Sequence, residues 1–443
     1  MKRPERIAVV GSGIAGLAAA SELAGRGFPV SLFEAGGWFG GHSHTVEVEL
    51  PDAAGRPVRA GVDTGFLVFN HRTYPQLTRL FAELGVETAP SEMSFSVQVA
   101  PQAVSGLRGV EWSGCNLNTV FAQRRNLLRP AFLRMLADLL RFNRLATAIA
   151  ERADGAEQQE AIGDFLDRHR FGAAFRDGYF LPMIGCIWSC PTDQMLRFPI
   201  ATMIRFCHNH GLIRITNRPQ WHTVRGGARQ YVDKLVATIA DARLNTPVRR
   251  IERQGGGVTL ITDQGREPFA AVVLACHSDT ALALLAEPSA AERDVLSAIR
   301  YHPNRAVLHT DTALLPKRRL AWAAWNYERA ANASREQAGV CLHYLIDRLQ
   351  PLPFARPVIV SLNPVREPDA AQVHGEWHYS HPVFDLAAIR AQQALPSIQG
   401  RQASWFCGAW AGYGFHEDGL KSGRAAAAGV LERFGQVAER AAA

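Results

Sequence analysis

The stretch from Arg6 to Glu34 constrains this 443-residue chain more than any other. Arg6 to Val10 is a short apolar run that reads as a buried strand. Gly11-Ser12-Gly13-Ile14-Ala15-Gly16 follows, and Leu17 to Arg26, rich in alanine and leucine, reads as a helix. Gly27 is placed to end that helix, and Pro29 to Glu34 reads as a second strand closing on an acid. Each residue type has a task in such a unit. Gly11 permits the tight turn, Gly13 lets backbone approach a pyrophosphate, and Gly16 lets the helix pack on the strand. The helix N-terminus faces the phosphate charge, and Glu34 is placed to accept hydrogen bonds from a ribose diol. This predicts a dinucleotide-binding fold and leaves NAD and FAD both open.

Later glycines favour the longer cofactor. Gly40-Gly41-His42 suits a second close pass of backbone along an extended ligand, and Val62-Asp63-Thr64-Gly65-Phe66 places another glycine among strand-forming residues. Val224-Arg225-Gly226-Gly227 precedes a helical stretch, Gln230 to Ala240, and Asn245 to Ile251 and Ala270 to Ala275 read as strands. Near the far end come Phe406-Cys407-Gly408-Ala409 and Gly412-Tyr413-Gly414-Phe415-His416-Glu417-Asp418-Gly419-Leu420, with Lys421-Ser422-Gly423 expected to open an alanine-rich final helix. A helix N-terminus there can stabilise negative charge on a reduced isoalloxazine.

Taken together, these segments resemble the flavin-containing amine oxidase superfamily, which includes phytoene desaturases and protoporphyrinogen oxidase. The resemblance implies FAD and an α/β architecture: a Rossmann-type FAD-binding domain with a mixed α+β substrate domain. It assigns cofactor contacts to Gly11, Ser12, Gly13, Ala15 and Gly16, then to Glu34, Ala35, Gly40, Gly41 and His42. Gly65, Phe66 and Val248 follow, and Gly408, Glu417, Asp418, Gly419 and Leu420 complete the set. Two positions depart from the family pattern: His42 replaces an arginine, and Ala409 an aspartate that normally contacts the ribityl chain. The resemblance also puts His416 where amine oxidases carry an aromatic residue facing substrate, making it the candidate catalytic residue.

A narrower resemblance rests on Asp63 to Asn70, Met93 to Val97, Ile187 to Pro191, Phe206 to His210, Arg218 to Trp221 and Gly412 to Gly419. These are similar to the oxidase-like N-terminal half of plant cyclopropane fatty acid synthases and to stand-alone bacterial flavoproteins. It implies chemistry on acyl chains of membrane lipids and a lipid methyltransferase as partner. The expected FAD domain is discontinuous, over residues 1–75, 215–277 and 395–443, with 76–214 and 278–394 forming the substrate domain. Arg305 to Thr310 and Pro357 to Leu362 are expected strands of the latter, and residues 151–161 the exposed connection.

Composition narrows the partners. The 48 basic and 41 acidic residues give a net charge of +7, modest for this length, and no nucleic-acid motif accompanies it. The seven cysteines include no CxxC pair and the histidines no HExxH, so reduced thiols and no metal are expected. No apolar run approaches the roughly 20 residues of a spanning helix, and the start of the chain carries no recognisable targeting signal, so a cytoplasmic location is the expectation. Phe121 to Ala150 adds peripheral contact with an inner membrane surface: six arginines face one acid, Asp138, and Leu133, Leu136, Leu139 and Leu140 form a helical stripe. That stripe equally suits a helix facing the core.

Other candidates have plainer alternatives. His208 and His210 would share a face if extended; Trp188, Trp221, Trp322, Trp325 and Tyr327 either wall an apolar tunnel or fill the core. Flavin dehydrogenation needs no nucleophile, since the cofactor accepts the hydride. Three functions compete: oxidation or desaturation of lipid acyl chains, oxidation of a soluble amine, and a non-catalytic flavin-bearing partner of a lipid methyltransferase.

Overall fold

The structure, a computed structural model, describes residues 5–101, 107–152, 160–214, 217–329 and 339–442. Most of the 151–161 connection, residues 153–159, therefore lies outside the described residues. Strand β1 (Ile7–Val10), helix α1 (Ile14–Gly25) and strand β2 (Val30–Phe33) form the opening unit. β1 pairs in parallel with β2 on one side and with the strand Ala271–Leu274 on the other. Strands Ser404–Phe406 and Asp241–Arg243 extend this sheet at its two edges, also in parallel. All four residues of β1 and of β2 are buried, as expected of a sheet covered on both faces. The chain fills the β2 side of β1 out to Asp241–Arg243 and then crosses to Ala271–Leu274 on the other side, so α1 starts at a topological switch point, where open α/β sheets bind ligands.

A close approach fixes this geometry. A Cβ on Gly16 would lie 1.9 Å from the carbonyl oxygen of Gly11, so only glycine lets α1 sit down on the turn. The final helix, His416–Ala442, packs along α1. It begins at His416 rather than at Lys421-Ser422-Gly423, because the Asp418 carboxylate accepts the amides of Tyr413 and Phe415 and closes the preceding glycine loop onto its first turn.

The second layer is a seven-stranded mixed sheet in the order Val373–Val383, Arg300–His309, Ile359–Leu362, Cys341–Leu345, Trp325–Arg329, Phe95–Val99 and Glu111–Ser113. Helices Pro130–Glu151, Ile162–Arg168, Leu181–Trp188 and Ile200–Asn209 accompany it. The last of these corrects the extended reading of His208 and His210. Ile200, Met203, Ile204 and Cys207 recur at helical spacing and are buried, so the segment is a helix with His210 as its C-cap. Tyr327 is core, and Trp322 packs against Leu315, Leu345 and Ile359. Among the described residues no helix is long and apolar enough to cross a membrane.

Candidate functional site

A cavity of about 500 Å³ runs from the opening βαβ unit to the seven-stranded sheet. One half is backbone. Helix α1 starts at Gly13 with no side-chain cap and no acid in its first turn, so its first amides are available to an anion. Space where a Cβ on Gly13 would stand is open, and Gly41 passes directly over Gly13. Glu34 lies below, its carboxylate accepting from Ser12 N (3.0 Å), Ser12 Oγ (2.5 Å) and Gly36 N (2.8 Å). Two oxygens offer about four acceptor sites, so capacity for a ribose hydroxyl remains.

His42 follows the glycine pair into the same half. A Cβ on Gly65 would lie 2.3 Å from the His42 carbonyl oxygen, so Gly65 is what lets the two segments meet. The His42 ring lies 4.9 Å from Tyr379, 5.2 Å from His381 and 6.5 Å from His277, and its Nε2 is buried with no hydrogen-bond partner. Burial first, and then the neighbouring histidines, holds its pKa well below the ordinary histidine value, so the ring is neutral at physiological pH. An orphaned ring nitrogen beside an open glycine cradle and an uncapped helix fits a dinucleotide, for which Gly11, Ser12, Gly13, Ala15, Glu34, Ala35, Gly40, Gly41, His42, Gly65, Phe66, Val248 and Gly408 all line the wall.

Four expected contacts lie elsewhere. Glu417 accepts from Gln76 N and Leu77 N, both at 3.0 Å, anchoring the start of the helix Pro75–Glu83. Asp418 closes the glycine loop; both acids face a second cavity of about 340 Å³, on the far side of a wall made by Tyr74, Phe206 and Phe415. Gly419 backs onto Ile14 and Ala409, and Leu420 is fully buried. The cause is that the helix starts five residues earlier than its alanine-rich pattern suggests, which turns these side chains away from the first cavity. Gly16 also packs rather than lines.

His416 does line the cavity. Its ring stacks on Phe66 at 3.8 Å, and Nε2 lies 2.5 Å from the Tyr231 hydroxyl and 3.4 Å from Ser43 Oγ. Burial lowers its pKa to about 3, so it is neutral. Its neighbour Phe415 lines the same cavity and stacks on Phe206 at 4.5 Å. Sequence reasoning missed Phe415, Phe206, His277 and His381; the first is one residue from a named candidate, and the histidines arrive from the N-cap of the helix Ser278–Leu284 and from the strand Val373–Val383, far apart in the chain. Cys407 is buried outside the cavity wall, whereas Cys276 is on it.

The other half of the cavity is apolar. Met93, Ile187, Phe206, Leu212, Trp221, Trp325 and Phe415 line it, with Ser189 and Tyr344 as hydroxyl groups. Trp188 stands behind Phe206 at 5.0 Å. Among the described residues of the whole wall, Glu34 is the single formally charged side chain, and no lysine or arginine is present.

One other polar cluster is chemically suggestive. Glu328, Cys341 and His343 bring an oxygen, a sulfur and a nitrogen close enough to share an ion. The hydrogens are already allocated, however. Asp311 N donates to His309 Nδ1, so neutral His309 carries its hydrogen on Nε2 and donates to Ser361 Oγ at 2.7 Å. Ser361 then donates to His343 Nδ1 at 2.7 Å, leaving the His343 Nε2 hydrogen to Glu328 at 3.1 Å. The nitrogen a metal needs as a lone pair is therefore a donor, and the cluster is a buried hydrogen-bond chain.

The pattern of the family described as flavin containing amine oxidoreductase matches residues 14–431. A protein described as a flavin-containing monoamine oxidase, AofH of Mycobacterium tuberculosis, is 29% identical over 281 residues, covering 61% of this chain and 56% of that protein. The match thus spans about half the length of that curated relative. The fold is shared with cyclohexylamine oxidase from Brevibacterium oxydans IH-35A, at TM-score 0.68 and 16% identity over 98% of this chain and 100% of the other. It is also shared with a fatty acid isomerase producing CLA from P. acnes, at TM-score 0.64 and 16% identity over 98% and 99%. The cofactor is FAD, and the chain belongs to the flavin containing amine oxidoreductase family.

Proposed function

We propose that this chain is an FAD-dependent oxidoreductase that oxidises or desaturates an acyl chain of a membrane lipid. Bound FAD supplies the hydride acceptor. The observation that carries the reading is the apolar half of the cavity, walled by Met93, Ile187, Phe206, Leu212, Trp221 and Phe415 and free of lysine, arginine and aspartate among its described residues. Such a wall favours hydrocarbon by desolvation and leaves a charged substrate without a counter-ion. Phe206, Trp221 and Phe415 orient the chain and exclude water, while Phe66 and Tyr231 hold His416 neutral at the cavity wall as its candidate reaction-site residue. The P. acnes neighbour, named for a fatty acid isomerase, has the same fold. A lipid methyltransferase acting on the same chains is the partner this reading implies, and an enzyme drawing on bilayer lipid must touch the bilayer.

Oxidation of a soluble amine is the second reading, favoured by the names of AofH and the Brevibacterium neighbour and by an aromatic wall that would accept a neutral amine. Chain-length dependence separates the two. Titrating the FAD-loaded protein with fatty acyl ligands of increasing length, read by perturbation of the flavin absorption, should tighten binding about fourfold per methylene, the equivalent of ~0.8 kcal/mol. Affinity that ignores chain length but follows the fraction of neutral amine would replace the lipid reading with the amine one.

A further inference from the structure

The chain has a second distinctive surface, remote in character from the cavity. Five leucines stand in solvent at one corner: Leu128 (87% exposed), Leu117 (77%), Leu127 (49%), Leu133 (43%) and Leu320 (40%). Four come from neighbouring segments, the helix Leu117–Val120, the turn Arg124–Leu128 and the first turn of Pro130–Glu151. The fifth arrives from almost two hundred residues later. Glu111 joins the two regions by accepting Lys317 N at 3.2 Å and Arg318 N at 3.1 Å, which sets the turn Arg319–Ala321 against the helix Leu117–Val120.

The charge of this corner is one-sided. Residues 107–137 and 312–327 contain eight basic side chains and one acid, Glu111, an excess equal to that of the entire chain. Glu111 is itself buried beneath Arg318. Three arginines are anchored on backbone carbonyls rather than on carboxylates. Arg124 donates to Phe121 O at 2.9 Å, Arg125 to Gly109 O at 2.9 Å and Arg129 to Arg108 O at 3.2 Å. Those bonds hold the guanidinium groups in place without neutralising them. Partial burial and the nearby Arg125 depress the pKa of Arg129, a sign of cations crowded together.

We propose that this corner docks on an anionic lipid bilayer, with Leu117, Leu127, Leu128 and Leu320 entering the headgroup–acyl boundary and Arg124, Arg125, Arg129 and Arg319 meeting the lipid phosphates. Apolar tips backed by fixed, uncompensated cations match the two layers of such a surface, apolar below and anionic above. The surface is assembled from two remote segments and uses the start of the basic helix, not its whole stripe. Leu136 and Leu139 are half-buried and Met135 and Phe142 turn inward, while Leu140 (50% exposed) stands two turns along the helix, next in sequence to the Arg141 that pairs with Asp138. It rests on the lipid reading only for its purpose, because docking and flavin reduction are measured separately.

Co-sedimentation of the FAD-loaded protein with vesicles tests it. Phosphatidylglycerol-containing vesicles should retain the protein and pure phosphatidylcholine vesicles should not, with retention falling as salt rises. Arg124→Glu with Arg125→Glu should weaken retention at least about tenfold, and Leu127→Glu with Leu128→Glu comparably, with flavin content and melting temperature unchanged. Retention that is equal in wild type and both variants overturns the proposal. So does binding to an acidic polypeptide such as polyglutamate with none to vesicles, which would make the corner a site for an acidic protein. Vesicle binding without flavin reduction by lipid would keep the docking surface and reject the substrate reading.

Discussion

The two halves of the main cavity are built by opposite means. The cofactor half is made of backbone: an uncapped helix start, a glycine pair crossing Gly13, and a carboxylate tied to Ser12. At Gly11, Gly16, Gly40 and Gly65 it tolerates no added atom. The other half is made of side-chain bulk, with Phe206, Trp221, Trp325 and Phe415 drawn from four separate segments. Recognition by backbone is rigid and local, whereas recognition by apolar volume is adaptable and spread through the chain. One family can therefore keep one cofactor and vary its substrates.

The largest expected effect breaks the first half. Gly16→Val forces a Cβ into the Gly11 carbonyl and should cost at least about 3 kcal/mol, abolishing FAD incorporation, as read by the flavin content of the purified protein. Phe206→Ala strikes the second half alone. It should cost about 3–4 kcal/mol of stability by denaturant unfolding and weaken acyl-chain binding, with flavin affinity nearly unchanged. If that variant loses flavin in parallel, the halves are not independent. His42→Ala removes the unpartnered ring nitrogen from a wall without lysine or arginine and should lower FAD affinity about 10- to 100-fold by fluorescence titration, whereas His42→Arg should preserve it.

A smaller effect reaches beyond the main cavity. His42, His210, His309, His381 and His416 are held below the ordinary histidine value, in each case chiefly by burial. The unfolded chain protonates them near pH 6.5 and the folded chain does not, so the unfolded state gains protons first as pH falls. Their stability contribution is complete above about pH 6.5 and is lost from there towards about pH 4, at roughly 1.4 kcal/mol per pH unit for each net proton. Asp63 acts in the opposite sense. Burial raises it to about 7, so it favours the folded state more as pH falls from 7 towards 4. Burial also raises Asp418, to about 6, and Asp347, but His44, His222, His277, His302 and His374 are lowered as well, so ten histidines against three acids leave acid lability dominant. Urea midpoints at about pH 5 and pH 7.5 should differ accordingly, and equal midpoints would mean that the histidines are not enclosed as described.

The same contrast governs what the sequence discloses. The cradle around Gly11, Gly13, Gly41 and Glu34 is legible because each residue is demanded by local geometry, whatever the rest of the chain does. The final glycine loop is only half legible. Its cofactor-facing end, Gly408 and His416, lines the cavity, but the Asp418 side chain starts the helix early and carries Glu417 to another task. The helical spacing of Ile200, Met203, Ile204 and Cys207 was readable and outweighs the paired histidines that follow it. Phe206, Phe415, His277 and His381 carry no such signal, since strand pairing and helix packing, not neighbours in sequence, bring them together. The exposed corner shows the same rule at the surface. Its arginines are visible as a basic run, but Leu320 joins them only through Glu111 and the fold.

The most direct test of the account is anaerobic. Purified FAD-loaded protein is mixed with phospholipid vesicles, and separately with a panel of primary and cyclic amines, and the visible absorption of the flavin is followed. Bleaching by the lipid and not by the amines is the predicted result, with one additional double bond in the recovered acyl chain for each flavin reduced. Bleaching by an amine while lipid leaves the flavin oxidised would contradict the central claim and make the apolar half of the cavity a seat for a neutral amine.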